Sequence, residues 1–210
     1  MAIETRLRGE VQVVIGDLDQ VTYDRLIASP LLSWDIETTG LDWRSDRIAT
    51  VQIHDRGAVT VVHRPQSRPE RLCRLLSTSE TPKLLHHAMF DLRFMAAEWG
   101  AHAANVSCTK VAAKLLRLPP KEQSLAPLVS RYLGIILDKT HQTSDWMTAS
   151  LSAEQLRYAA RDVLYLEALM SRLRMDLESS DRWELAAACF GHLPTRVALD
   201  VAEFDDVYSY

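Results

Sequence analysis

The sequence predicts an α/β fold, a mixed β-sheet flanked by α-helices, and three observations carry that prediction. Strand-like segments cluster in the first third, helical and strand-like segments alternate from Glu70 onward, and capped helical patterns fill the rest. The early strands are residues 11–15, 31–37, 48–54 and 58–63, short runs rich in Val, Ile, Leu and Thr. The last two flank Asp55-Arg56-Gly57, which reads as a hairpin turn. A helical stretch over residues 19–28 separates the first two.

Residues 70–76 read as a helix, 83–86 as a short strand, and 88–99 as a helix closed by Gly100, since glycine takes the left-handed C-cap conformation without strain. A helix over 109–118 stops at Pro119-Pro120, because proline has no N–H with which to continue it. Ser124 caps a helix that runs to Leu133 and ends at Gly134. Ser152-x-x-Gln155 is a capping box that opens a long helix to about Met175. Residues 199–206 are acidic without a clean period and read as a tail able to dock through Phe204 and Tyr208. With no repeat or low-complexity tract, residues 1–180 parse as one domain and 181–210 as a short C-terminal helix with an acidic tail.

The chain has 210 residues, 47% hydrophobic and 25% charged, the composition of a globular protein. The N-terminus carries no apolar leader and no stretch approaches the ~18 apolar residues of a membrane span, so a cytoplasmic protein with no membrane partner is expected. Three widely spaced cysteines fit neither a disulfide framework nor a C-x-x-C zinc site, and free buried thiols are expected. A net charge of −4 argues against a broad grip on long duplex nucleic acid but leaves room for a short substrate held locally. Of the 24 basic residues 19 are Arg, whose planar fork can grip phosphate, although solvated surface positions account for most of them.

Acids occupy three places where their chemistry needs explaining. Asp35 and Glu37 end an apolar run one residue apart, and in a strand such residues share a face roughly 7 Å apart, with Trp34 and Ile36 on the other. Two like charges so placed repel unless a cation lies between them, and hard divalent ions take carboxylate oxygens. A solvent-facing strand end is the ordinary alternative. Asp91 lies on the first turns of its helix, where an acid also stabilises the macrodipole, and His86 and His87 precede it. Tyr158 and Asp162 stand one helical turn apart, about 5–6 Å between Cβ atoms, beside an apolar stripe. A half-buried Tyr and an Asp paired with Arg157 or Arg161 is the ordinary alternative there.

As an ordered set, Asp35-x-Glu37, Asp91 in a His-x-x-x-Phe-Asp setting and Tyr158-x-x-x-Asp162 resemble the three motifs of the DEDDy branch of 3′–5′ exonucleases. The flanks CTKVAAKLL, SLAPLVSRYLG, DKTHQTSDW and LSAEQLRYAARDVLYL resemble RNase D and, more closely, the compact bacterial nano-RNase C proteins, over about residues 30–175. The resemblance implies an RNase H-like fold (the DEDD exonuclease fold) and a metal-dependent 3′–5′ exoribonuclease that releases nucleoside 5′-monophosphates from short RNA. It implies two divalent ions, Mg²⁺ or Mn²⁺: Asp35, Glu37 and Asp162 at the first, Asp35 bridging to the second, and Asp91 supporting that second ion. Tyr158 would orient the attacking water. Thr38, Leu41, His86, His87, Lys139, Gln142 and Trp146 would contact substrate, with core packing an equal reading for Trp146. Too few residues follow the core for the HRDC domains of full-length RNase D, which shifts the expected substrate from tRNA-type molecules to single-stranded 3′ ends and short oligoribonucleotides. A homo-oligomer is expected by the same resemblance. DNA ends remain an alternative substrate because the acids serve both, and a non-catalytic end-binding module is disfavoured by the presence of all four acids and Tyr158.

Overall fold

The computed structural model describes residues 11–138 and 144–209. Its centre is one six-stranded sheet in the order β1-β4-β3-β2-β5-β6. Strands β2 (Leu32–Thr38), β3 (Ile48–His54) and β4 (Val59–His63) form the antiparallel meander that the sequence predicts. β1 (Val11–Ile15) joins β4 in parallel at one edge, and β5 (Lys83–Leu85) and β6 (Val106–Cys108) extend the other edge in parallel beside β2. The strand β6 is a finding of the structure: three residues are too short for a period to show in sequence.

Helices cover both faces, and α1 (Gln20–Ile27) and α5 (Leu125–Leu133) add Leu26 and Leu128 to the core. Trp34, Ile36, Val51 and Ile53 point into a core shared with α2 (Glu70–Ser77), α3 (Ala88–Trp99) and α8 (Trp183–Val201). On the opposite face α6 (Ala153–Leu164) packs Ala160 and Val163 on Val59 and Val61, and Ala159 on Ala49 and Trp146. Alanines at the contact let the helix lie close to the strands.

The helix opened by Ser152 is broken where the sequence predicts continuity. α6 ends at Leu164, Tyr165 takes φ −100° and ψ −5°, and α7 (Leu166–Ser179) begins at the next residue. No Pro or Gly marks the break; Tyr165 is only 8% exposed and belongs to the core. α4 (Thr109–Leu115) likewise stops before the proline pair, at a left-handed Arg117 (φ 59°). Residues 199–201, read from sequence as tail, are the last turn of α8, and the exposed Phe204 and Tyr208 follow it. Phe204 is 59% exposed and Tyr208 meets His192 ring to ring. The cysteines are free, Cys108 buried and Cys73 and Cys189 half-buried.

Candidate active site

Strand alternation sends Asp35 and Glu37 to the α6 side of β2, opposite the buried Trp34 and Ile36. In the antiparallel register they lie across from Gln52 and Thr50, two fully buried uncharged residues bonded to each other at 2.8 Å. α6 brings Asp162 down from above. One oxygen from each of Asp35, Glu37 and Asp162 falls within 4.8 Å of the others. Asp91, 3% exposed on the first turn of α3, accepts the N–H of Ile36, which ties the second motif segment to the strand between the two β2 acids. These side chains line one cavity of about 280 Å³ together with His86, His87, Phe90 and Lys110.

The electrostatics follow from crowding four carboxyls together, one buried and three half-buried. Burial first, then repulsion from Asp91, Asp162 and Glu37, holds the Asp35 carboxyl well above the usual carboxylate range. Burial with the charges of Asp162 and Asp91 pushes Glu37 up to about 9, and burial raises Asp91 and Asp162 each to about 7. No Lys or Arg among the described residues offsets these shifts by pairing with an acid. Arg157, the surface partner that an ordinary reading would give Asp162, bonds Glu154 instead at 2.6 Å. Tyr158 donates its phenol proton to Asp162, and burial together with the charges of Asp162, Glu37 and Asp35 pushes its pKa upward, so the phenol stays protonated. A half-buried, all-oxygen donor set that meets no counter-cation among the described residues fits a hard divalent ion.

The two histidines differ. His86 Nδ1 lies 2.8 Å from the Thr109 hydroxyl, while its Nε2 is buried, has no protein partner and belongs to a side chain lining the cavity. Burial and the neighbouring Lys110 and His87 hold its pKa at about 3, so it is a neutral imidazole. His87 lines the rim, stacked on Phe90 at 5.9 Å, with burial and the charges of Lys110, Lys114 and Arg93 lowering it to about 4.

Other sequence-predicted contacts fall elsewhere. Trp146 does not line the cavity: it is 2% exposed and packs behind Tyr158, ring centroids 5.9 Å apart, with its carbonyl 3.3 Å from His63 Nε2. Thr38 turns its hydroxyl onto the Gly40 carbonyl at 2.5 Å, and Leu41 is 84% exposed just beyond. Lys139 and Gln142 lie outside the described residues. Lys110 and Phe90 line the site without having been singled out; Phe90 adjoins Asp91 in sequence, whereas only the return of β6 and α4 beside β5 brings Lys110 in.

A 3′–5′ exonuclease family model matches residues 17–178. Brucella melitensis NrnC superimposes with a TM-score of 0.86 at 34% identity, covering 95% of this chain and 98% of that one, and it has also been solved with bound Mg²⁺ and bound to pGG. DNA polymerase I of Aquifex aeolicus is 37% identical over 158 residues, 75% of this chain and 26% of the polymerase. Escherichia coli RNase D shares the fold at a TM-score of 0.78 and 21% identity, over 89% of this chain and 51% of that one. The chain thus spans about a quarter and about half the length of those last two. It belongs to the 3′–5′ exonuclease family and has the RNase H-like DEDD exonuclease fold.

Proposed function

We propose that this protein is a metal-dependent 3′–5′ exoribonuclease that hydrolyses the terminal phosphodiester of short RNA and releases nucleoside 5′-monophosphates. The observation that carries the reading is the convergence of four acids, Asp91 buried and Asp35, Glu37 and Asp162 half-buried, with a protonated tyrosine in one cavity, and no Lys or Arg among the described residues paired to them. Asp35, Glu37 and Asp162 would hold one divalent ion, and Asp35 and Asp91 a second. Mg²⁺ or Mn²⁺ bound there supplies positive charge to the attacking and leaving oxygens of an in-line displacement.

The chain's own groups do the rest. Tyr158, unable to act as a base while its phenol is protonated, orients the attacking water one helical turn from Asp162. Trp146 backs its ring and limits its rotation. Neutral His86 offers Nε2 to an uncharged polar group of the terminal nucleotide, and Leu41 packs beside its base. Lys139 and Gln142, which follow Asp138 in the sequence, would also contact the substrate.

Short RNA is favoured by the solved complex of the Brucella NrnC with pGG. A homo-oligomer in the cytoplasm completes the proposal. The polymerase resemblance favours a second reading, trimming of DNA ends by the same acids.

The test is a time course on a 5′-labelled RNA dinucleotide and a twenty-nucleotide RNA, with Mg²⁺, Mn²⁺ or EDTA, for wild type beside Asp162→Ala. Rapid loss of the dinucleotide that EDTA and Asp162→Ala abolish is expected. Turnover confined to the 2′-deoxy counterparts would replace RNA by DNA, and silence on both would overturn the enzyme reading.

A further inference from the structure

The turn that joins β2 to β3 contains a glycine required by its neighbour. Gly40 does not occupy the left-handed region, yet a Cβ there would lie 2.4 Å from Asp46 Oδ2 and 2.6 Å from Asp46 Cγ and Oδ1. The Asp46 carboxylate fills the space that a side chain at position 40 would need. From that seat Oδ2 accepts the Asp42 N–H at 2.9 Å, and the Thr39 hydroxyl lies 3.4 Å from Oδ1. Thr39 Oγ1 accepts the Arg47 N–H at 2.9 Å, and the Thr39 N–H donates to the Arg47 carbonyl at 2.9 Å. Asp46 returns its own N–H to the Asp42 carbonyl at 2.8 Å. The two limbs of the turn are therefore tied through one carboxylate, immediately after the strand that carries Glu37.

What this clasp presents is Leu41, a large apolar side chain left 84% exposed. A turn closed by so many internal bonds has little freedom to fold that side chain back against the protein, so the cost of ordering it for a ligand is met before binding. We propose that Asp46 is a positioning residue for the substrate: seated against Gly40, its carboxylate fixes the Thr39–Leu41 turn and holds Leu41 ready for the nucleobase of the terminal nucleotide. This rests on the exonuclease reading above, and it assigns to Asp46 and Gly40 a paired role.

The experiment compares wild type with Asp46→Ala, Asp46→Asn, Gly40→Ala and the double variant Gly40→Ala/Asp46→Ala, measuring kcat and KM on an RNA dinucleotide with Mn²⁺ and amide hydrogen exchange without substrate. Asp46→Ala is expected to raise KM about ten-fold with kcat within about two-fold, and to speed exchange at Asp42 and Arg47 while residues 33–37 of β2 stay protected. Asp46→Asn, which keeps one acceptor oxygen, should recover most of the loss in KM. Gly40→Ala should be at least as harmful as Asp46→Ala, and the double variant no worse than Asp46→Ala, because removing the carboxylate removes the collision. Unchanged exchange in Asp46→Ala would overturn the clasp. Faster exchange with a wild-type KM, or an equal fall in kcat, would overturn the positioning role. A wild type that turns over only DNA would retire the RNA reading alone, and the same ratio of KM values would then be read on a DNA dinucleotide.

Discussion

Asp35 is the residue on which the electrostatics of the site converge, since the charges of Asp91, Asp162 and Glu37 all raise its pKa in addition to burial. In the metal-free protein, removing its charge should relieve repulsion. Asp35→Asn is expected to raise the melting temperature by about 2–4 °C for each kcal/mol relieved, while activity falls on the order of 10³-fold. The cluster also sets the pH dependence. Groups whose folded pKa is raised hold protons that the unfolded chain releases near pH 4, so metal-free stability should fall as pH rises from about 4 towards the folded values of about 7 for Asp91 and Asp162 and about 9 for Glu37. Saturating Mn²⁺ should flatten that fall in a series of thermal melts, because the ion replaces the protons. Away from the site, Lys83 is fully buried in β5 with its ammonium bonded to the Thr78 carbonyl, and burial lowers its pKa to about 8. Here the sign reverses: the unfolded chain binds the extra proton, so wild-type stability should rise between pH 8 and 10.5. Lys83→Met should be about 2 kcal/mol more stable at pH 7, an advantage that shrinks over that range in denaturant titrations. At this scale much of the site was legible: a period of two put Asp35 and Glu37 on one face, and a period near four paired Tyr158 with Asp162. The distinction between His86 and His87 was not, because it depends on Thr109, a residue brought in from another strand end. The burial of Trp146, one of two equal readings from sequence, is decided by neighbours from β3 and α6.

Among the elements, α6 carries Tyr158 and Asp162, and its start is fixed by the capping box of Ser152 and Gln155, whose amide also reaches the Asp145 carbonyl at 2.9 Å. Ser152→Ala is expected to cost about 1 kcal/mol of stability, seen as a lower denaturation midpoint, with kcat little changed because Ala159 and Ala160 still seat the helix on the sheet. The meander and the helices ending at Gly100 and Gly134 were readable because strand periodicity and left-handed caps are local properties, and both glycines do take positive φ. The break at Tyr165 and the strand β6 are set by packing instead. One coincides with an aromatic ring buried in the core, and the other needs β5 as a partner. Neither requirement is written within a window of a dozen residues.

For the molecule as a whole, α8 is the element whose weight the sequence understated. Its last turns carry Asp200, which binds Arg93 of α3 and Arg196, and its inner face buries Ala186, Phe190, Leu193 and Val197. Burying Phe190, Leu193 and Val197 contributes roughly 1.5–3 kcal/mol each, against a total stability of about 5–15 kcal/mol for a typical domain. A chain ending at Asp181 is therefore expected to lose its cooperative thermal transition or to aggregate on expression, as circular dichroism and solubility would register. The order of the site residues along the chain has a further consequence. Asp35, Asp91 and Asp162 arrive on three elements separated by long stretches of sequence and meet only when β2, α3 and α6 have docked. Under the proposed function, a ribosome that has delivered the first two acids has delivered no nuclease, and a proteolytic fragment that lacks α6 would lack one too; hydrolysis would begin only once synthesis of the core is complete.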